Sequence, residues 1–209
     1  MSFTEVRQTI VRDFVFCVDH EKLPPLSGYL SDYVKSGCDV ASEDYRLVPL
    51  TAASLRCLIT SSNCLTDCMF ELQSKYQQFV PDDWGGHMDK GRRDLAVVGF
   101  NILEGVVLDI LELNPTTAHL DWAQPKLDSL EWERLLIHAV VDFGRSCQAK
   151  QIRLLPAHRC PVGAEAEADG AKAVEFQDEL KRRYDGSARA SGFIYDQSSD
   201  RFVLDLEAN

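Results

Sequence analysis

Residues 119–155 read HLDWAQPKLDSLEWERLLIHAVVDFGRSCQAKQIRLL, and this stretch decides the fold. Residues 119–122 predict a short strand, Pro125 marks a turn, and residues 152–155 predict a second strand after a polar break. Between the strands, apolar residues spaced three or four apart share one face of a long helix: Trp132, Leu136, Val140, Phe143 and Cys147. A strand, a helix and a strand in so short a stretch predict a βαβ unit with parallel strands.

The start of this helix is predicted from its capping and charge pattern. Ser129, or Asp128 just before it, suits the N-cap because a short side-chain oxygen accepts a hydrogen bond from a backbone N–H of the first turn. Glu131 and Glu133 follow in the first turn, where the helix dipole favours negative charge. The helix is therefore expected to begin directly after one of these two caps.

The composition is that of an acidic globular protein. The 209 residues are 45% hydrophobic and 26% charged, which suits one domain or one domain with an extension. A formal net charge of -11 disfavours nucleic acid and anionic membranes, and it favours a small amine or a basic protein partner, although it also simply maintains solubility. No apolar run approaches the roughly 20 residues that span a bilayer, and the start lacks a secretory signal, so a cytoplasmic protein is expected.

Seven cysteines are scattered along the chain, and an odd, scattered set is typical of reduced thiols. Cys57, Cys64 and Cys68 have helical spacing, but a turn is predicted between them and no nearby histidine completes a ligand set. We therefore expect small core residues at these positions and no metal site.

The remaining chain predicts a mixed α/β sandwich, that is, an α+β fold with a mixed sheet. Residues 1–44 are predicted to form an N-terminal extension that packs on the core, with a short helix near residues 30–34, and residues 45–209 form the main domain. Within that domain we predict strands at residues 45–50, 95–100, 106–113, 193–195 and 201–206, helices at residues 52–60, 66–79 and 176–189, and loops at residues 80–94 and 156–173.

The order and spacing of these patterns, from residue 45 to residue 206, resemble the GNAT superfamily of N-acyltransferases. The matching pieces are a first strand with the following Thr at residues 45–51, a Trp-Ala-Gln-Pro turn at residues 122–125 in place of a strand-end V-x-P, a central helix at residues 135–147, the next strand at residues 149–154, and a Ser-Gly-Phe turn at residues 191–193. The resemblance implies a GNAT-like central mixed sheet flanked by helices. It also implies transfer of an acyl group from acetyl-CoA or another acyl-CoA to an amine.

The resemblance further implies catalytic roles. The family's general acid is a tyrosine four residues before the Gly of the last turn, where this chain has Ala188. Tyr184 lies one helical turn earlier and is the substitute, with a packing tyrosine as the alternative interpretation. Glu112 or Asp121, near strand ends, would be the general base for the substrate ammonium, with ordinary strand-edge carboxylates as the alternative.

The chain departs from the family at the loop before the central helix. The family has a Q/R-x-x-G-x-G/A loop there, whose glycines let backbone N–H groups approach the coenzyme A diphosphate. The corresponding positions here are Asp128, Glu131 and Glu133, and three carboxylates repel phosphate. The usual diphosphate loop is therefore missing, while the backbone at Ala123 and Gln124 would still hold the pantetheine arm.

Two functions follow from these observations. One is a divergent, acyl-CoA-dependent N-acyltransferase acting on an amine. The other is a non-catalytic GNAT-like protein that binds a protein partner through its acidic surface or its extension. The strands on either side of the central helix discriminate between them, because a gap between the strands leaves room for a cofactor and a gap filled by side chains such as Trp132 excludes one.

Overall fold

The computed structural model describes residues 26–51, 66, 68–80, 86–104, 107–115, 121–160 and 170–207. Seven strands form one sheet in the order β1-β2-β3-β4-β5-β7-β6, in which β4 and β5 are parallel and all other neighbours are antiparallel. The strands are β1 (Tyr45–Thr51), β2 (Cys68–Val80), β3 (His87–Leu103), β4 (Val107–Pro115), β5 (Gln151–Leu154), β6 (Ile194–Asp196) and β7 (Arg201–Asp205).

Helices connect and flank this sheet, so the predicted α+β class with a mixed sheet is confirmed. They are α1 (Gln124–Asp128), α2 (Trp132–Ser146), α3 (Gly170–Lys181) and α4 (Ser187–Ala190), with a π-helical segment, Arg182–Gly186, that joins α3 to α4. Short 3-10 helices occur at Leu26–Gly28, Leu30–Tyr33, Ser42–Asp44 and Ala157–Arg159. Within the described ranges, no helix combines the length and the apolar character needed to cross a membrane.

Helix α2 packs its apolar face on the middle of the sheet. The Phe143 ring lies 5.5 Å from the Phe70 ring and 6.1 Å from the Phe100 ring, centroid to centroid. A Cβ atom on Gly144 would lie 3.0 Å from Cδ1 of Ile152, so the helix runs close to the parallel strands. The predicted apolar face is confirmed, because four of its members are buried and the last is partly buried: Trp132, Leu136, Val140, Phe143 and Cys147.

The first strand of the βαβ unit is β4 and not the strand expected at residues 119–122. Residues 121–123 form a turn that leads into α1, whereas residues 119 and 120 lie outside the described ranges. Strand β5 has β4 on one side and β7 on the other, so it offers no edge to a further strand. A short apolar pattern in the sequence does not show which strand will pair with that edge of β5.

The helix expected at residues 66–79 is also wrong, because β2 spans most of that range. Met69, Leu72, Tyr76 and Phe79 do have helical spacing, but β1 and β3 pair with β2 on both sides. Packing and pairing in the sheet outweigh local spacing. The loop expected at residues 80–94 is likewise wrong for residues 87–94, which belong to β3.

Several other predictions have clear outcomes. The strands expected at residues 45–50, 95–100 and 106–113 and the closing hairpin are confirmed, with β3 and β4 longer than predicted. The helix expected at residues 176–189 begins at Gly170, as α3, which is earlier than expected. The loop predicted at residues 156–173 is correspondingly shorter. The helix expected at residues 52–60 lies outside the described ranges.

Helix α2 begins at Trp132 with Glu131 as its N-cap, so the expected caps Ser129 and Asp128 are wrong. The reason is non-local, because Leu130 forms a β-bridge with the N-terminal extension. That bridge holds the residues before Trp132 in a non-helical conformation.

Residues 33–35 of the extension, here called the strap, cross the entry to α2. Val34 pairs with Leu130, the Lys35 N–H donates to the Ser129 carbonyl at 3.0 Å, and the Glu131 N–H donates to the Tyr33 carbonyl at 2.8 Å. The extension also contributes to the main core, since Leu30 and Tyr33 are buried there.

Candidate functional site where strands β4 and β5 diverge

Strands β4 and β5 pair over only four residues and then separate. The last pair joins Ile110 to Leu154, and the Leu155 N–H donates to the Ile110 carbonyl at 2.9 Å. Strand β4 continues through residues 111–115, here called the diverging segment, with a bulge at Leu111 where its register with β3 shifts. Beyond Ile110 this edge of β4 is not paired with β5, and a strand edge of this kind can pair with extended groups other than a strand.

The side chain of Tyr184 reaches this edge from the π-helical segment. It is fully buried, and its hydroxyl oxygen accepts a hydrogen bond of 2.9 Å from the Leu113 N–H. Burial, followed by the neighbouring Cys160 thiol, raises the pKa of Tyr184 above its ordinary value. The hydrogen bond from Leu113 acts in the opposite direction, and burial outweighs it, so the hydroxyl is held in its neutral form.

The π-helical segment affects where Tyr184 points. Segments of this kind occur mostly as local insertions in α-helices, and often at functional sites. Tyr184 and Ala188 are both fully buried, so the two positions face the same interior despite the change of helical pitch.

Glu112 lies directly before Leu113 on β4 and is buried, with 4% of its surface exposed. Its carboxylate accepts a hydrogen bond of 3.0 Å from the Asn114 side-chain amide. Glu112 stands opposite Gly99 on β3, and Thr66 covers Gly99 so closely that a Cβ atom there would lie 2.9 Å from the Thr66 hydroxyl oxygen. The Tyr184 hydroxyl thus contacts the backbone of Leu113, the residue that follows Glu112 on β4.

Asp121, the other expected base, lies elsewhere. It is exposed in the turn before α1, beside Trp122, whose ring packs against Tyr76 of β2 at 4.9 Å. Ala123 and Gln124 are not at a strand end. The Ala123 carbonyl accepts the N–H groups that start α1, and the Gln124 side chain donates to Asp128 at 2.8 Å. The prediction of a strand end at Ala123 and Gln124 is therefore wrong, because this backbone is helical.

The N-terminus of α2 carries its own negative charges. Glu133 in the first turn is buried and accepts a hydrogen bond from Arg182 at 3.3 Å. Glu131 pairs with Arg134, and its own N–H is used by the strap. Two like charges 4 Å apart cost about 4 kcal/mol at an effective dielectric of 20, so a diphosphate placed here would be repelled. The residues present do not fit the coenzyme A diphosphate at this position.

Trp132, named above as a side chain that could fill the gap between the strands, is the first residue of α2. It is buried, and the Arg183 guanidinium lies over its ring at 5.7 Å. Tyr184 is the side chain whose hydroxyl meets β4 on the diverging segment.

Sequence reasoning missed two groups near this sheet. Glu71 of β2 is a buried carboxylate, and the Gln73 amide donates to it at 3.3 Å and to Asp94 at 2.7 Å. The sequence around Glu71 does contain the alternation of a strand, but the helical spacing of its apolar residues led to the prediction of a helix. Cys160 is buried beside Tyr184, and a cysteine in a predicted loop has no local signal for such a neighbour.

The described residues contain no cluster of three or more His, Cys, Asp or Glu side chains that could hold a metal ion. Cys68 is buried in β2, whereas Cys57 and Cys64 lie outside the described ranges. The chain matches no protein-family model, and a search of curated proteins finds no similar sequence.

Proposed function

We propose that this chain is a divergent GNAT-like N-acyltransferase that moves an acyl group from a thioester to an amine. One observation supports the proposal above all. Strands β4 and β5 separate beyond Ile110, and the buried Tyr184 hydroxyl contacts the part of the β4 edge that β5 does not pair with. In this proposal the Tyr184 hydroxyl is the proton donor for an acyl thioester at this edge, and the buried carboxylate of Glu112, the residue before Leu113, is the base.

In the proposed reaction, Glu112 and Tyr184 carry out the proton transfers. The Glu112 carboxylate takes a proton from the substrate ammonium, and the amine nitrogen attacks the thioester carbonyl carbon. The C–S bond breaks, and the leaving thiolate takes the Tyr184 proton. The second proton of the nitrogen then returns to Tyr184, and Glu112 releases its proton to solvent. Burial keeps the Tyr184 hydroxyl in the protonated form that a general acid needs, and the same raised pKa makes the proton harder to give up.

The acceptor in this proposal is a cationic amine. The net charge of -11 attracts cations over a range set by ionic strength. Amine binding should therefore weaken as salt is added.

The test measures amide formation by the full chain with primary amines and a lysine-containing peptide, using acetyl-CoA and S-acetyl-pantetheine as donors. We expect Tyr184→Phe and Glu112→Gln each to lower the rate by about 10²- to 10⁴-fold, the usual contribution of a positioned acid or base. Product is identified by mass spectrometry, and the thioester is followed by its ultraviolet absorbance.

Matched controls separate chemistry from folding. Tyr195→Phe and Glu43→Gln change exposed residues of the same types and should keep the wild-type rate. Tyr184→Phe removes the acceptor of the Leu113 N–H, which costs about 1–3 kcal/mol, so rates are compared under conditions where denaturation curves show both proteins folded. A folded Tyr184→Phe variant with the wild-type rate would refute the acid role, and the absence of product with every amine would refute the function.

The alternative is a non-catalytic GNAT-like protein that binds a basic protein partner. The carboxylates at the N-terminus of α2 and the strap across its entry favour this alternative, because both occupy a position where a cofactor would bind. It requires a stoichiometric complex whose dissociation constant rises with salt. Measured amide formation without such a complex would rule it out.

A further inference from the structure

We propose that the end of the β2–β3 hairpin is a docking arm, through which two copies of this chain pair edge to edge. The arm, as named here, comprises residues 75–80 of β2 and residues 87–94 of β3, and the remainder of the chain is its body. The contact uses none of the side chains assigned to catalysis above. A dimer of this kind therefore forms or fails to form independently of the proposed function.

The arm extends beyond the strands on either side of it. Strand β1 pairs with β2 only as far as Ser74, and β4 pairs with β3 only as far as Ala96. Among the described strands, β3 is therefore the only neighbour of residues 75–80. Residues 76–80 span about 17 Å at the usual rise of a strand. A ribbon of two strands is marginally stable by itself, and added strands stabilise it.

The base of the arm is fixed to the body by side-chain contacts. The Lys75 ammonium lies 2.8 Å from the Asp44 carboxylate, and the Arg92 guanidinium donates to the Asp44 carbonyl at 3.1 Å. The Tyr76 ring packs on the Trp122 ring at 4.9 Å. These contacts set the direction of the arm before any partner binds, so less conformational entropy is lost on association.

The two edges of the arm differ in charge. On β3, residues 89–93 read Asp-Lys-Gly-Arg-Arg, whereas on β2 residues 76–80 read Tyr-Gln-Gln-Phe-Val, without a charge, a proline or a glycine. Charged side chains protect an exposed edge against pairing with another chain, and an uncharged edge rich in strand-forming residues favours it. The β2 edge is therefore the one that accepts a further strand.

The tip of the arm adds exposed apolar surface. Phe79 is 54% exposed and Met88 is 43% exposed, and the two residues stand opposite each other in the register of β2 and β3. The Phe79 ring lies against Gly86, where a Cβ atom would be 2.4 Å from the ring carbon Cζ. A strand added next to residues 76–80 would cover part of this apolar pair, which favours association.

A second copy of the chain fits this edge by symmetry. A twofold axis at Gln78 pairs residues 76–80 with the same residues of the second copy in antiparallel order, and directly opposite residues then share a face of the sheet. Gln78 meets Gln78, Gln77 meets Phe79, and Tyr76 meets Val80. No two charged side chains are opposed, and a pair of an aromatic and a β-branched residue stabilises adjacent strands.

The charge of the arm is complementary to the charge of the body. The whole chain has a net charge of -11, so two copies repel each other where their acidic surfaces meet. The arm instead has more basic than acidic residues, namely Lys75, Lys90, Arg92 and Arg93 against Asp89 and Asp94. In the antiparallel pairing the tip of each arm points to the body of the other copy. The two bodies remain about 17 Å apart, which is about two Debye lengths at physiological ionic strength.

The test is the oligomeric state of the full chain, measured by sedimentation equilibrium at physiological ionic strength. We expect a monomer–dimer equilibrium in the wild type. Gln78→Lys places two ammonium groups at the twofold axis and should raise the dissociation constant of the dimer by about tenfold. Gln78→Thr, a neutral strand former at the same position, should keep the dimer. Ser31→Lys adds the same charge at an exposed position of the body and should also keep it.

Hydrogen exchange of the wild type locates the contact without any substitution. As the protein concentration rises, backbone amides of residues 76–80 should gain protection, while those of residues 87–94 should not. A chain that stays monomeric up to about millimolar concentration would overturn the proposal, even if a strand of another protein pairs with this edge. A dimer that Gln78→Lys and Ser31→Lys weaken equally, or that forms without protection of residues 76–80, would place the interface elsewhere and overturn it too.

Discussion

At the residue scale, Glu71 links the stability of the protein to pH. Its carboxylate is 6% exposed on β2, in contact with the Gln73 amide. Burial, followed by the charge and the hydrogen bond of Asp94, raises the pKa of Glu71 to about 7. The folded protein therefore binds this proton more tightly than the unfolded chain.

The sign of the pH effect follows from that difference. Below a pH of 4.5, the ordinary pKa, both states carry the proton and the Glu71 contribution to stability is complete. As the pH rises from 4.5 to the folded-state pKa of about 7, the unfolded chain releases its proton while the folded protein still holds it. The free energy of unfolding therefore falls over this range. The loss amounts to at most about 3 kcal/mol, at 1.36 kcal/mol per pKa unit.

We predict that Glu71→Gln stabilises the protein at pH 8 and flattens the fall of stability between pH 5 and pH 7. The amide keeps the shape of the side chain and removes the charge that burial opposes. Urea denaturation at several pH values measures the effect. Glu43→Gln, which changes an exposed glutamate, is the control, and a variant with the slope of the wild type would contradict the prediction.

At the element scale, strand β3 supports the candidate base through a glycine. Gly99 stands opposite Glu112, and a Cβ atom there would lie 2.9 Å from the Thr66 hydroxyl and 3.2 Å from Cβ of Glu112. Gly91, on the same strand, is exposed and has its nearest such neighbour, an Arg93 nitrogen, at 4.0 Å. One glycine is therefore required by a close approach, and the other is not.

We predict that Gly99→Ala lowers the free energy of unfolding by about 1–3 kcal/mol, because an added methyl group overpacks the contact between the strands and Thr66. Gly91→Ala should be neutral or stabilise by up to about 1 kcal/mol, since alanine loses less backbone entropy in a strand. Chemical denaturation of both variants gives the comparison. Equal changes in the free energy of unfolding for the two variants would show that the close approach at Gly99 does not determine the effect of the substitution.

At the scale of the whole molecule, the described part of the extension shares the core of the main domain. Leu30 is 2% exposed, and the Tyr29 and Tyr33 rings lie 5.0 Å and 5.6 Å from the His138 ring of α2. Together with the strap, these contacts join the extension to the helix that organises the sheet. Loss of one of these contacts should therefore lower the stability of the whole molecule.

We predict that Leu30→Ala lowers the free energy of unfolding of the whole chain by about 2–5 kcal/mol, because it leaves a cavity in that core. Ser31→Ala, at the exposed neighbouring position, should have little effect. Circular dichroism and a tryptophan signal should report one shared transition. An unchanged main transition, with early release of the extension alone, would show that the extension is a separate unit.

The sequence by itself determined the elements whose local pattern agrees with their environment. Helix α2 has one apolar face and packs it on the sheet, and strands β1, β4 and β5 lie where their short apolar runs predicted them. The carboxylates of Glu131 and Glu133 at the start of α2 could also be predicted, because one is the N-cap and the other lies in the first turn of that helix. Local periodicity and local charge suffice for such features.

Only the tertiary structure decided the features that depend on distant partners. Strand β2 has helical spacing, but its neighbours β1 and β3 hold it in the sheet, and the strap moves the start of α2 to Trp132. The candidate site belongs to this class. Tyr184 was named from the family resemblance, one helical turn before Ala188, whereas its contact with Leu113 depends on where the pairing of β4 with β5 ends. Hydrogen bonds between residues far apart in sequence set that point, and no local pattern records them.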